Sequence, residues 1–289
     1  MLGADPMSNP IVLSHAQVQP MRRARQKGER EAMTSLDLGL TTSAILLEAG
    51  GVAFPDGQWL AWESIEEIDQ NESACFVVED GAAEKIQRFS ETFGRFYSLM
   101  PTHGAPTMLI SGILMHRVKG IDPHRDTLRK IRMVAPIAGR VLDTCTGLGY
   151  TAIEAAKTAD QVITIELDPT ALEVARLNPW SRQLFEHPRI MQGIGDSFEE
   201  IRVLEDEAFS RILHDPPRFS LAGELYSGEF YRHLFRVLTR RGRLFHYIGD
   251  LDSRSGRNVV KGVVRRLREA GFSRVDRKPA AFGVVAYKG

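Results

Sequence analysis

Four acidic residues in the second half of the chain each follow a short apolar run. Asp143 follows Val141 and Leu142, Glu166 ends the run VITIE, Asp196 comes shortly after Ile190–Gly193, and Asp215 comes directly after Arg211–His214. Open α/β sheets bind ligands outside the carboxyl ends of their strands, so carboxylates at strand tips are ligand-type groups. Asp143 opens a loop that contains Gly147 and Gly149 and runs into the helix-forming stretch TAIEAAKTA. A strand, a glycine loop and a helix together aim backbone N–H groups at a ligand. Glycine suits such a loop because it tolerates positive φ and lets a ligand lie against the backbone. Glu166 stands seventeen residues beyond Gly149, where a carboxylate accepts hydrogen bonds from ribose hydroxyls. The stretch Asp215-Pro216-Pro217-Arg218 offers carbonyl oxygens and a carboxylate but few donors, because prolines have no N–H. Such a turn suits a substrate that presents N–H groups, and Arg218 adds a planar cation able to stack on a base or hold a phosphate. These residues together describe a βαβ unit that binds an adenosine-containing molecule beside a reactive turn.

The elements that must position them follow from the apolar periodicity. Val141–Asp143, Val162–Glu166, Ile190–Gly193, Arg211–His214 and Gly242–Ile248 are predicted as five strands. Helices are predicted between them at Tyr150–Thr158, Pro169–Leu177, Phe198–Glu207, Glu224–Thr239 and Asn258–Ala270, and Val275–Lys278 and Phe282–Tyr287 close the chain as two more strands. Asp122–Ala135 is predicted as a helix with proline in its first turn, delivering the chain to Val141. This alternation predicts an α/β fold: a doubly wound, mostly parallel seven-stranded sheet with an antiparallel last strand.

The first part reads differently. Residues 1–32 are expected to be a poorly ordered or helical arm, with the charged run Met21–Met33 as its helical part. Residues 33–103 are expected to form a smaller β-rich α+β module. Asp37–Ile68 shows short apolar runs broken by AGG and PDG, Ala74–Val78 reads as another strand, and Ala82–Met100 reads as a helix. Trp59, Trp62 and Phe54 are either a small core or a binding surface. Residues 104–289 make the third part, entered through a linker that holds His103 and His116, the latter a candidate substrate contact.

Composition sets the bounds. The chain has 289 residues, 43% hydrophobic and 26% charged, with zero net charge. Residues 33–103 carry 12 Asp and Glu against 3 Lys and Arg, whereas residues 104–289 carry 22 against 29. The positive surplus points to an anionic partner for the later part, with ordinary solvated faces as the competing reading. Two cysteines, Cys75 and Cys145, exclude a disulfide framework, and no metal site is expected. No apolar run reaches a membrane span and no signal pattern opens the chain, so a cytoplasmic protein without a membrane partner is expected.

The glycine loop, the acids at positions 143, 166, 196 and 215, the phrase IELDP and the Asp-Pro-Pro string together resemble the class I S-adenosylmethionine-dependent methyltransferases, over roughly residues 121–289. That resemblance implies S-adenosylmethionine as cofactor. Asp143, Thr144, Gly147 and Gly149 would hold its methionine part and Glu166 its ribose hydroxyls; Asp196, with Ser197 beside it, would face its adenine, and Leu167 would be a further cofactor contact. Asp215, Pro216, Pro217 and Arg218 would form the catalytic turn. Two positions depart from the family pattern: Cys145 replaces the first glycine, and Arg218 stands where an aromatic usually follows Pro-Pro. The resemblance implies methyl transfer to RNA or another nucleobase-containing substrate. The alternative is an aminopropyltransferase-like enzyme that uses decarboxylated S-adenosylmethionine, a family with a similar β-rich module and a similar IELDP phrase. A nicotinamide-dependent oxidoreductase and a non-enzymatic binding module are further readings. The acceptor and the oligomeric state stay open, a homodimer included.

Overall fold

A computed structural model describes residues 10–219 and 221–289. Poor order is expected from the sequence over residues 1–20; residues 1–9 lie outside the described residues, and the rest of that stretch holds a strand and the start of a helix. The chain divides into two compact units, one ending at Pro123 and joined by Glu173–Arg182, the other formed by His124–Leu172 and Gln183–Gly289.

In the first unit, residues 11–34 are not a separate arm. Ile11–Leu13 is a strand paired antiparallel to Phe76–Glu79, and His15–Gln26 is a helix that buries Val18, Met21 and Ala24. Ser14 caps that helix reciprocally with Gln17, so two orphan N–H groups are satisfied. The stretch 82–100, expected as a helix, is instead three strands, Ala82–Lys85, Gln87–Ser90 and Arg95–Met100. The helix-forming residues AAEK are overridden because each strand finds an antiparallel partner to pair with. The opposite error occurs at Trp62–Gln70, which is a helix burying Trp62, Ile65 and Ile68. Thr107–Ile110 pairs with Arg95–Met100. Residues 101–106 are therefore a hairpin connection inside this unit, and the boundary lies at residue 123 rather than 103. Trp62 and Phe54 belong to its core and Trp59 is partly exposed.

The second unit holds the expected α/β sheet. We number its elements in chain order: α1 (Pro123–Val134), β1 (Arg140–Asp143), α2 (Tyr150–Ala156), β2 (Gln161–Glu166), α3 (Pro169–Arg176), β3 (Ile190–Ile194), α4 (Ser197–Val203), β4 (Phe209–His214), α5 (Gly228–Val237), β5 (Leu238–Tyr247), α6 (Arg254–Glu269), β6 (Arg274–Lys278) and β7 (Gly283–Tyr287). The seven strands lie in the order β3-β2-β1-β4-β5-β7-β6. The first five are parallel to their neighbours, and β7 runs antiparallel to both β5 and β6. Central strands are apolar on both faces, with Val141, Leu142, Ile212, Leu213, Leu244 and Phe245 fully buried, as helix-covered parallel strands require. The core continues into Phe230, Tyr231, Leu234, Val263 and Leu267 of α5 and α6. The sheet order reverses between β1 and β4, and open α/β sheets bind ligands at the tips of the strands flanking such a reversal. Among the described residues no helix is long and apolar enough to cross a membrane.

Candidate active site

Asp143, Glu166 and Asp215 close β1, β2 and β4 or follow directly after them, so the topology brings the three carboxylates to one edge of the sheet. The loop after β1 is shaped by its glycines. Gly147 and Gly149 have φ of 53° and 74°, the left-handed region where a side chain is strained. At Gly149 a Cβ would lie 2.7 Å from Leu184 Cδ2, whereas at Gly147 nothing lies within 4 Å, so that side of the loop is an open cradle. Cys145 keeps an ordinary negative φ and needs no glycine there. Burial, reinforced by the charge of Glu166, pushes its thiol well above the usual range, which makes it a filler rather than a nucleophile.

Glu166 fastens the loop. Its Oε2 accepts from the Gly147 N–H at 2.8 Å and its Oε1 from the Asp168 N–H at 3.2 Å. Burial lifts this carboxyl above its ordinary range against the pull of those two amides. Asp143 is fully buried beneath the loop, and its Oδ2 accepts from the hydroxyls of Thr151 at 2.9 Å and Thr164 at 3.1 Å. Its Oδ1 is buried with no hydrogen-bond partner. Burial pushes its carboxyl up to about 8, so it is largely protonated at neutral pH. A buried orphan oxygen at a strand tip, beside an open cradle, fits a ligand that brings a donor of its own, as the amino group of a methionine-derived chain does.

The remaining cofactor candidates divide. Asp196 is exposed and caps α4, accepting from the Phe198 N–H at 2.8 Å. Leu167 is an exposed apolar residue just past the tip of β2. Thr144 and Ser197 turn toward the protein. The Ser197 hydroxyl donates to the Thr144 carbonyl at 2.5 Å, and Thr144 Oγ1 lies 2.7 Å from His214 Nδ1. His214 Nε2 donates to the Leu225 carbonyl at 3.0 Å, so Nδ1 accepts from Thr144. Burial lowers this imidazole to about 3, and His246 beside it is lowered likewise, so both rings are neutral packing and hydrogen-bonding groups.

At the Asp-Pro-Pro turn the structure adds a residue that the sequence reading missed. Lys130 Nζ donates to Asp215 Oδ2 at 2.5 Å and stands 3.4 Å from Asp126 Oδ2 and 4.4 Å from the centre of the Tyr247 ring. Lys130 and Asp126 are almost fully buried. Burial works against the ammonium, but Asp215 first and Asp126 next outweigh it and hold the amine charged. The signal was in the sequence: Asp126, Thr127, Lys130 and Val134 share one face of α1 at helical spacing, and that face is the buried one. Charged residues at i and i+4 read by habit as a solvated pair. Asp215 Oδ1 makes no hydrogen bond to the described residues and remains accessible. Pro216 is buried, and the Pro217 carbonyl accepts from the Tyr226 hydroxyl at 3.1 Å. Arg218 is exposed, and its guanidinium has no partner among the described residues. Phe219 packs edge-on against Tyr226. The sequence candidate His116 lies in the first unit, its Nδ1 3.0 Å from the Thr107 hydroxyl.

No protein-family model matches the chain. An uncharacterized protein of Methanocaldococcus jannaschii is 45% identical over 237 residues, 81% of this chain and 80% of that protein. The polyamine aminopropyltransferase 2 of Streptomyces coelicolor is 32% identical over 169 residues, 55% of this chain but only 30% of that protein's length. A solved spermidine synthase in complex with the transition-state analogue AdoDATO is similar with a TM-score of 0.58 at 21% identity, covering 70% of this chain and 73% of that one. The fold is thus of the class I S-adenosylmethionine-dependent methyltransferase type, which spermidine synthases share.

Proposed function

This chain belongs to the family of the Methanocaldococcus jannaschii protein, and from that premise we propose that it is a transferase that moves an aminopropyl group from decarboxylated S-adenosylmethionine to an amine. The observation that carries this reading is the ammonium already held at the tip of β4, between the carboxylates of Asp215 and Asp126 and over the Tyr247 ring. That ammonium takes one oxygen of Asp215 and leaves the other to accept an N–H from an incoming amine. The polyamine aminopropyltransferase relative and the spermidine synthase fold support the same reading.

Glu166 and the Gly147 loop would hold the nucleoside, and Asp143 Oδ1 would take the donor's amino group. The sulfonium, when bound, supplies an alkyl carbon already activated for displacement. The chain's part is then positioning. Asp215 Oδ1 accepts an N–H of the neutral acceptor and aims the lone pair. The new N–C bond forms as the C–S bond breaks, its electrons stay on sulfur as a thioether, and the surplus proton leaves through Asp215 or water.

Arg218 favours a second reading, methyl transfer from S-adenosylmethionine to RNA or another nucleobase-containing acceptor. An exposed cation beside the acceptor turn suits a phosphate. The nucleoside product separates the two. The purified protein is given both donors, a series of diamines and polyamines, and total RNA, and the products are resolved by mass spectrometry. Methylthioadenosine with an aminopropylated amine is the expected result; S-adenosylhomocysteine alone, with methylated RNA, overturns the aminopropyl reading. Asp215→Ala is expected to abolish turnover while nucleoside binding is kept, and full activity in that variant removes Asp215 from the chemistry.

A further inference from the structure

The atoms around Lys130 form a site for an alkylammonium: a carboxylate at 2.5 Å, a second at 3.4 Å and an aromatic face at 4.4 Å. The group inside it is the protein's own. Lys130 reaches there from α1 and shares Asp215 with the catalytic turn, so one oxygen of that carboxylate is committed and one is left for a ligand. We propose that Lys130 is a specificity-determining residue that fills the second amine subsite of the acceptor site, so that a substrate engages the acceptor turn through a single nitrogen and its further ammonium groups find no cage there. The proposal rests on the amine-transfer reading for its substrate class, but the cage itself can be tested apart from it.

Three features of the geometry support this. The two carboxylates are offset by the single ammonium of Lys130, which leaves one net negative charge with it present and two without it. The cage is closed, with only 3% of the Lys130 side chain exposed, so a second cation cannot enter beside it. Asp126 and Lys130 lie one turn apart on α1, so the helix itself fixes the spacing between ammonium and carboxylate.

Truncation to alanine removes the atoms of a propylammonium ion, which supplies the probe. Lys130→Ala should melt several degrees below the parent chain, because two buried carboxylates lose their counter-charge. Propylammonium chloride should restore most of that loss, whereas sodium chloride at equal ionic strength and 1-propanol should not. Lys130→Met, which keeps the alkyl packing and leaves no room, should show no such recovery. If Lys130→Ala does not fold in buffer, its refolding in propylammonium chloride is the readout. Equal response to all three additives overturns the cage. In the transfer assay, Lys130→Ala should shift the kcat/KM ratio of a triamine over a diamine upward by tenfold or more, and an unchanged ratio overturns the specificity role. Failure of the amine-transfer reading would appear instead as the wrong nucleoside product, with the propylammonium effect intact.

Discussion

Asp143 is the residue whose chemistry depends most on its surroundings. Its carboxyl is raised to about 8 by burial, against the hydroxyls of Thr151 and Thr164. Between the ordinary carboxylate range and pH 8 the folded protein holds a proton that the unfolded chain has lost, so stability falls as pH rises. His214, lowered to about 3, and His246 act in the opposite sense: the unfolded chain binds protons below pH 6.5 that the fold refuses, so stability rises toward that pH. A maximum near pH 6.5 is expected, followed by a decline on the order of 1–2 kcal/mol by pH 8. Urea titrations at the two pH values test this. Asp143→Asn should remove the decline, and a decline of equal size in that variant would acquit Asp143. Glu166 is expected to matter for affinity. Truncation to alanine should weaken methylthioadenosine binding by about tenfold to a hundredfold, because two hydroxyl acceptors are lost. Titration calorimetry showing parent affinity would remove Glu166 from the ribose.

Among elements, the loop between β1 and α2 is the most constrained. Gly149 combines a left-handed backbone with a Cβ position 2.7 Å from Leu184. Gly149→Ala carries both the conformational penalty and the overlap, and should lower stability by about 2–4 kcal/mol. Gly147 has the first penalty without the second, so Gly147→Ala should cost about 1–2 kcal/mol and act mainly on ligand binding. Thermal melts that rank Gly147→Ala as the more damaging would contradict the packing around Leu184. α1 is the other decisive element. Its inward stripe of Asp126, Thr127 and Lys130 carries charge to the Asp-Pro-Pro turn, where a purely packing helix would carry leucines.

For the whole molecule, the division into units does not follow a single cut in the chain. Glu173–Arg182 lies far along the sequence yet belongs to the first unit, where the Trp180 indole N–H donates to the Leu38 carbonyl at 3.1 Å. A fragment of residues 124–289 therefore leaves this segment without its partners. Trypsin should cut that fragment after Arg176 or Arg182 well before it cuts the full chain there, as mass spectrometry of the digest would reveal. Equal resistance would mean that the segment is held by the second unit instead. A nick at residues 101–106 is expected to leave both pieces together, because Arg95–Met100 and Thr107–Ile110 stay paired across it.

The α/β sheet, its strand tips and the glycine loop were legible in the sequence because they are local. Short buried strands alternate with helices, glycine marks positive φ, and an acid after an apolar run marks a tip. The identity of Asp143, Glu166 and Asp215 as neighbours followed once the topology was read. What the sequence could not determine depends on partners distant in the chain. The run at 82–100 has the residues of a helix and the hydrogen-bond partners of three strands, and the partners prevail. The hydrogen bonds of Thr144 to His214 and of Ser197 to the Thr144 carbonyl join residues far apart in the chain and were not legible. Lys130 drew no reading from the sequence, and only the packing of α1 against the tip of β4 made it a buried ammonium facing Asp215. Periodicity tells which face of a helix is inward; what that face meets is decided by tertiary contacts, because electrostatic pairing in a buried site is set by distance in space and not along the chain.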